Sequence, residues 1–438
     1  MTPLTHLTLP NGLLIFLKEL HTAPIISHWV WYRVGSRDEA PGQTGASHWV
    51  EHIQFKGTQL FPSGELDRAI SRLGGVWNAF TYMDWTAYFE TLPSANIDLA
   101  LGLEADRMSN SRFDITDVEA ERSVIISERQ GNENEPLFRL AEKVQSAAFD
   151  VHPYHHEVIG DLTDLKSMQR DDLYYYYRSH YIPDNAVLAI AGDFDTKGML
   201  SRLEELYGSL PPGGQPIRLE KSEPPHADER QVTVEGPGDT TYLQISYHAP
   251  CASHPDFLPL AVLDSLLCGP SDLSVFGGGL SNKTSRLYRA LVEKELAVSV
   301  YGSLQATIDP FLHSITSIVH PKSSIEVLTD ALDDEIQRLQ DTPPPWEEVA
   351  RAVKQARALF AYNSESITNQ AAWLGFAEMF ASQVWLEEYL DRLAAVTPDD
   401  VQRVAQTYLR KHNRVLGVYL PTGNGNQPPL EGDSSHVP

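Results

Sequence analysis

The sequence predicts an α+β fold of two homologous halves, each an α/β sandwich with a mostly antiparallel sheet covered by helices. Strand and helix patterns occur in the same order before and after a stretch rich in proline and glycine at 211–229. The clearest repeat runs from Asp171-Asp172-Leu173 through a helix pattern to Asn185-Ala186-Val187-Leu188. It recurs from Asp399-Asp400-Val401 to Asn413-Arg414-Val415-Leu416, with the same separation at both ends. Repeated units in one order indicate a duplicated domain.

The predicted division places one domain at 1–210, a linker at 211–229, a second domain at 230–420 and a disordered tail at 421–438. Proline and glycine in the linker, and glycine, proline, asparagine and serine in the tail, favour chain without a packed core. Two unrelated helix–strand units would give a similar order by accident. The equal separation at both ends of the repeat favours duplication over that alternative.

Each element of the first half follows from a local pattern. Alternating or β-rich apolar runs predict its strands, and apolar residues at helical spacing predict its helices. The Asn11-Gly12 pair predicts a hairpin turn, and Gly57 and the Gly74-Gly75 pair predict two helix ends. The predicted strands are 4–9, 13–18, 25–34, 76–81, 85–92 and 186–191, and the predicted helices are 44–54, 65–73, 95–109, 118–149 and 171–179.

The second half follows the same order after the linker. Its predicted strands are 242–249, 297–307 and 311–318, and its predicted helices are 258–267, 325–340 and 346–362.

Composition excludes several classes of function. Hydrophobic residues make up 42% and charged residues 21% of the chain, which is typical of a soluble globular protein. The net charge of −25 argues against nucleic acid or an anionic membrane as partner. The two cysteines, Cys251 and Cys268, form no metal or disulfide pattern and are expected to be free thiols. The first twenty residues lack a basic segment and a long apolar run, so we expect a cytoplasmic protein without a membrane span.

The segment His48-Trp49-Val50-Glu51-His52 carries the strongest chemical signal. Two histidines four apart lie on one face of a helix, so both imidazoles reach the same metal ion. Glu51 flanks that face and suits a group that contacts the water of the metal rather than the metal itself. The order H-x-x-E-H marks the inverzincins. The alternative is a pair of surface histidines on an ordinary helix. Catalytic zinc keeps three protein ligands, so the metal hypothesis requires a third.

A candidate for the third ligand lies on a later predicted helix. Glu121 and Glu128 are seven residues apart, which is two helical turns, and therefore share a face. Val124 and Ile125 lie between them, and carboxylates on a partly apolar face indicate a cation partner. From these residues alone, a solvated pair of helix charges explains the pattern equally well. In the second half, the matching helix contains Leu260-Ala261-Val262-Leu263-Asp264 and no ligand pattern.

These motifs resemble the insulinase/pitrilysin family of zinc peptidases, in particular the half-length branch that includes mitochondrial processing peptidase and its bacterial relatives. The run from His48 through Phe55-Lys56-Gly57-Thr58 resembles the family's H-x-L-E-H-x-x-F-K-G-T. The stretch from Gly74 to Thr81 resembles its G-G-x-x-N-A-x-T strand. Glu121 and Glu128 match a helper glutamate and the third ligand in place and spacing. The likeness extends over almost the whole chain.

The resemblance implies an activity and a role for each matched residue. One Zn²⁺ per chain would be bound by His48, His52 and Glu128 and would activate a water. Glu51 would take the proton of that water and return it to the leaving amine, while Glu121 would support the ligands. Substrate would add as a β-strand at Asn78 and Ala79, which predicts unstructured peptides rather than folded proteins.

One departure from the family pattern concerns a substrate-holding arginine and tyrosine, seven residues apart, in the second half of active members. The stretch here is one residue short, and Val292 and Val298 occupy the two positions. Arg289 and Tyr301 lie nearby without a partner at that spacing. The departure predicts a heterodimer with a homologous subunit that carries the Arg/Tyr pair, or else a homodimer. The alternative function is a non-catalytic scaffold subunit. The glycines at 277–279 predict a loop that moves with substrate.

Overall fold

Two β-sheets, one from each half of the chain, organise the computed structural model of this protein, which describes residues 4–214, 216, 221–270, 273 and 281–423. The first sheet contains β1 (Leu4–Thr8), β2 (Leu14–Glu19), β3 (Ile25–Tyr32), β4 (Val76–Thr81), β5 (Thr86–Pro93) and β6 (Ala186–Gly192). The second sheet contains β7 (Arg230–Gly236), β8 (Tyr242–Ala249), β9 (Ala297–Leu304), β10 (Phe311–Val319) and β11 (Arg414–Pro421).

The two sheets share one topology. Their strand orders are β1-β2-β6-β3-β5-β4 and β7-β11-β8-β10-β9, so the second matches the first without β1. The only parallel pairs among the described strands are β2 with β6 and β7 with β11, and these occupy equivalent places. The predicted fold class, two α/β halves with mostly antiparallel sheets, is therefore confirmed.

Helices cover both sheets. In the first half they are α1 (Ala46–Gln54), α2 (Glu65–Arg72), α3 (Ile97–Asn110), α4 (Ile115–Asn132), α5 (Pro136–Ala148), α6 (Leu162–Ser167), α7 (Arg170–His180) and α8 (Thr196–Tyr207). In the second half they are α9 (Phe257–Cys268), α10 (Ile325–Asp341), α11 (Trp346–Asn363), α12 (Ile367–Phe380), α13 (Gln383–Ala394) and α14 (Pro398–Tyr408). Among the described residues, none of these helices has the length and apolarity that a membrane crossing requires.

The prediction of one helix over 118–149 is wrong. The chain leaves the helical conformation after α4, and Glu135 is extended with φ −87° and ψ 117°. Pro136 then begins α5, because proline lacks an N–H group and disfavours the helical conformation in the residue before it. The break allows α5 to leave the first half and pack on β7, β8 and β11.

Each half covers the sheet of the other with one helix. On the second sheet, a side chain at Gly417 of β11 would collide with Val144 of α5. On the first sheet, α12 packs on β3 and β6, and a side chain at Gly375 would collide with the ring of Trp31. The halves therefore pack as one body, and the predicted boundaries at 1–210 and 230–420 stay a prediction.

Several sequence predictions fall wholly or partly outside the described residues. The glycine loop at 277–279 lies outside them, as do 215 and 217–220 of the predicted linker and the tail beyond 423. The described part of 211–229 contains neither helix nor strand. The elements that the sequence patterns did not predict include β7, α8, α12 and α13.

Candidate metal centre

The helix that carries the metal-binding motif is fixed on its apolar side. Trp49, Val50 and Ile53 of α1 are fully buried in the core beneath the first sheet. Gly45, just before the helix, has φ +89°, and a Cβ there would lie 2.6 Å from the carbonyl oxygen of Ile159. A left-handed glycine with no room for a side chain lets α1 begin at this close approach. His48, Glu51 and His52 are half-buried beside α4.

His48, His52 and Glu128 converge on one point. The Nε2 atoms of His48 and His52 lie 3.9 Å and 3.6 Å from the two carboxylate oxygens of Glu128. One ligand atom from each residue lies within 4.8 Å of the other two, and the described residues form no other such group of three. Tetrahedral zinc, with bonds of about 2.0–2.1 Å, separates its ligand atoms by roughly 3.4 Å. The three side chains therefore fit a zinc ion with little movement.

The electrostatics of this group suit a cation. Burial, and then the neighbouring His52, lower the pKa of His48 to about 3, so its ring is neutral and free to donate a lone pair. The Glu128 side chain is 42% exposed, which keeps one side of the group open to solvent. A catalytic zinc site requires such an open position beside its three protein ligands.

Glu51 lies beside the three ligands and contacts the edge of the sheet. Its carboxylate accepts a hydrogen bond of 2.5 Å from the hydroxyl of Thr81, the last residue of β4. Burial raises the pKa of Glu51 above its usual value, although the bond from Thr81 opposes the shift. A raised pKa brings a carboxylate closer to the range in which it both accepts and returns a proton.

Glu121 lies behind the ligands and bridges α1 and α4. One of its oxygens lies 2.9 Å from Nδ1 of His52, and the other lies 2.5 Å from Nζ of Lys56. Burial alone would raise the pKa of Glu121, but the contacts with Lys56 and His52 hold it below its usual value. The anionic carboxylate accepts the Nδ1 proton of His52 and so directs Nε2 toward Glu128. Sequence reasoning assigned no role to Lys56 or Thr81, although both belong to quoted motifs.

The two residues expected to contact substrate lie on β4, the edge strand next to α1. Asn78 is exposed, whereas the side chain of Ala79 is buried in the core that also contains α1. Trp77 packs on Phe55 at the end of α1, with ring centroids 4.8 Å apart. In the described part of the chain only β5 pairs with β4, so its other edge offers backbone groups to an added strand.

Among its described residues, the second half has no comparable set of ligands. Asp264 of α9 binds His313 of β10 at 2.8 Å, and both side chains are fully buried. Val298 and Tyr301 lie half-exposed on β9, the edge strand of the second sheet. Glu295 lies between Val292 and Val298, in the stretch that is one residue shorter than the Arg/Tyr pattern of the family. It has φ +56°, a left-handed conformation that favours glycine.

Comparison with known protein families gives two adjoining matches. The model of the insulinase family, peptidase family M16, matches residues 14–162. The model named peptidase M16 inactive domain matches residues 167–356. The first match contains every proposed metal ligand and Glu51, and the second begins at the end of α6, before β6 of the first sheet.

Curated relatives match over nearly the full chain. An uncharacterized zinc protease of Mycobacterium leprae is 29% identical over 424 residues, which cover 94% of this chain and 91% of the relative. An uncharacterized zinc protease of Streptomyces coelicolor is 28% identical, covering 92% and 86%. Mitochondrial-processing peptidase subunit beta of Lentinula edodes is 27% identical, covering 94% and 89%.

Solved structures share the fold. A protease from Helicobacter pylori superposes with a TM-score of 0.88 at 25% identity, covering 96% of this chain and all of the other. A peptidase M16 inactive domain from Pseudomonas fluorescens superposes with a TM-score of 0.82 at 17% identity, covering 96% and 98%. With the motif, the fold and both family matches in agreement, this chain belongs to the insulinase family of zinc proteases, peptidase family M16.

Proposed function

We propose that this protein is a zinc-dependent endopeptidase that hydrolyses unstructured peptides or processing segments. One observation carries the proposal: His48, His52 and Glu128 bring three ligand atoms within 4.8 Å of one another, with Glu51 beside them. When bound, zinc supplies a Lewis acid that lowers the pKa of a water and polarises the scissile carbonyl.

Glu51 performs the proton transfers in this proposal. Its carboxylate takes a proton from the attacking water and delivers it to the amine that leaves, so the same group acts first as base and then as acid. Its raised pKa suits both steps. The hydroxyl of Thr81 holds one oxygen of the carboxylate and leaves the other available for the proton.

The substrate lies along β4. A peptide that pairs with this edge strand passes Asn78 and Ala79 and is held through backbone hydrogen bonds, which read an extended chain before they read side chains. Thr81 joins the same strand to Glu51, so pairing brings the peptide backbone into register with the base. Most backbone groups of a folded protein are already paired within its own structure. The substrates in this proposal are therefore unstructured segments.

A partner subunit completes the site in this proposal. Productive cleavage requires the peptide to be held within about 1 Å of the reacting geometry. Val292 and Val298 stand where a pair of arginine and tyrosine would contribute to that hold. The similarity to a protein named as a subunit of mitochondrial-processing peptidase supports a heterodimer with a homologous chain. A homodimer that uses Arg289 or Tyr301 is the alternative.

A second candidate function is a non-catalytic scaffold subunit. The match of 167–356 to a domain named inactive, together with the two valines, favours this alternative. Retention of all three ligands and of Glu51 favours the peptidase, because a scaffold has no use for a base beside a metal.

Cleavage of a quenched fluorescent peptide separates these functions. The purified chain is assayed alone and after mixing with a homologous chain that carries the Arg/Tyr pair, with and without a zinc chelator. We expect weak or no cleavage alone, and chelator-sensitive cleavage by the mixture, which elutes as a dimer. Full activity of the isolated chain would contradict the split site and favour the homodimer. A zinc-loaded mixture that cleaves no peptide would favour the scaffold.

A further inference from the structure

Lys56 is placed to act on the metal site without touching it. It lies two residues beyond the end of α1, and its backbone N–H donates to the carbonyl of Ile53 at 2.9 Å, which closes a tight turn at the end of the helix. Its side chain crosses to α4 and ends 2.5 Å from Glu121. Lys56 therefore ties the helix that carries His48, Glu51 and His52 to the helix that carries Glu121 and Glu128.

The backbone next to Lys56 is held in place by the packing of Phe55. Phe55, the residue before Lys56, packs on Trp77 and lies under the guanidinium of the fully buried Arg107, at 5.3 Å from the ring centroid to Cζ. The same guanidinium lies 5.6 Å from the ring centroid of Trp77. Because the backbone at Phe55 is fixed in this way, the Cα atom of Lys56 has a defined position from which its side chain extends to Glu121.

Both oxygens of Glu121 are engaged. The glutamate side chain is 7% exposed, and among the described residues its polar contacts are with His52 on one oxygen and Lys56 on the other. A carboxylate held at one oxygen rotates about its last bond, whereas one held at both has a fixed plane. The plane of Glu121 in turn sets the orientation of the His52 ring, and hence the direction of its Nε2 lone pair.

We propose that Lys56 is a positioning residue for the metal site, which acts through Glu121 to orient His52 and to fix the separation of α1 and α4. Glu121 and Glu128 lie two turns apart on α4, about 10 Å along the axis. A shift of α4 at Glu121 therefore moves Glu128 relative to both histidines. The inference rests on the metal site of the proposed function but requires no peptidase activity.

An ordinary surface ion pair is the competing explanation, and such pairs contribute little. Lys56 is 31% exposed, but its partner is buried and bound to a metal ligand, which distinguishes it from a surface pair. Lys322 and Glu295 form a pair of the ordinary kind, with a contact of 3.0 Å and side chains that are 74% and 64% exposed. This second pair supplies a matched control within the same chain.

The test is the zinc dissociation constant of the whole chain, measured by competition with a chromophoric chelator and without peptide. We expect Lys56→Met to weaken zinc binding by about 10–100-fold, the effect typical of groups that orient metal ligands. Lys56→Arg keeps the charge and the donors and should restore most of the affinity. Lys322→Met should bind zinc like the wild type.

Folding of the metal-free variants is checked by circular dichroism and by their melting temperatures. If Lys56→Met does not fold, Lys56→Gln, which keeps a donor without the charge, takes its place and should show a smaller loss of affinity. A folded Lys56 variant whose zinc affinity equals that of Lys322→Met would overturn the inference. If Lys56→Met loses peptide cleavage but binds zinc as tightly as the wild type, the inference alone fails. If Lys56→Met weakens zinc binding as expected but the wild type cleaves no peptide with its partner, the proposed peptidase function alone fails.

Discussion

The two halves of this protein share a sheet topology and differ in what they place against it. In the first half, α1 and α4 bring His48, His52, Glu128 and Glu51 together at a partly open surface. In the second half, α9 places Asp264 against His313, and both are sealed from solvent. The comparison teaches that the two halves share one sheet topology, and that they differ in a few side chains, which in the first half form the candidate metal site.

The later helices of the two halves show the same contrast. Helices α4 and α11 each contain 18 residues, and counted from the first residue of each helix, the positions of Glu121 and Glu128 in α4 hold Ala352 and Leu359 in α11. Both of these residues are buried. Counted in this way, buried apolar residues of α11 stand at the helix positions that carry Glu121 and Glu128 in α4.

The largest effect that we expect comes from Glu51→Gln. The amide cannot accept the proton of the water, so cleavage of a quenched peptide by the chain with its partner should fall by about 10²–10⁴-fold while zinc content is kept. Glu121→Ala should lower activity less, by about 10–100-fold. Glu347→Gln on the exposed side of α11 serves as the control. Equal activity of Glu51→Gln and the wild type would exclude this glutamate as the base.

A change in the corresponding region of the second half should affect stability rather than chemistry. Asp264→Ala leaves the buried His313 without the carboxylate that it contacts at 2.8 Å. Such a loss costs roughly 3 kcal/mol of unfolding free energy. Urea denaturation measures this cost, and zinc analysis of the same sample should show unchanged metal content. Loss of zinc from the folded variant would show that the second half takes part in the metal site.

A smaller effect on stability is expected where α12 crosses onto the first sheet. Gly375→Ala places a methyl group against the ring of Trp31 and should destabilise the chain by about 1–3 kcal/mol. Gly131→Ala in α4 is the matched control, since a Cβ there meets nothing within 4 Å. This control should be neutral or slightly stabilising, because alanine favours helix. Equal stability of the two variants in urea would contradict the exchange of helices between halves.

Much of the fold was predictable from local patterns. The zinc-motif helix was predicted at 44–54 and observed as Ala46–Gln54, and the repeat that ends in β6 and β11 has its predicted helices, α7 and α14. These elements follow from apolar spacing and turn residues, which act within a few positions of the chain. Pro136 also indicates a break in the sequence itself, but the helical pattern on both sides of it predicts one continuous helix.

The packing between halves was not predictable in this way. That α5 lies on the second sheet and α12 on the first depends on contacts such as Gly417 with Val144, which join distant parts of the chain. The same limit applies to the candidate site. Spacing predicted which residues share a helix face, but the contacts of Glu121 with Lys56 and of Glu51 with Thr81 depend on how α1 meets α4 and β4.

Metal analysis of the wild type and of His52→Ala tests the central claim most directly. If the first half holds the metal through His48, His52 and Glu128, the wild type should contain about one zinc per chain, as expected for a site with three protein ligands. The His52→Ala variant should contain almost none, while circular dichroism shows it to be folded. A folded His52→Ala variant that retains about one zinc per chain would place the metal elsewhere and contradict the account.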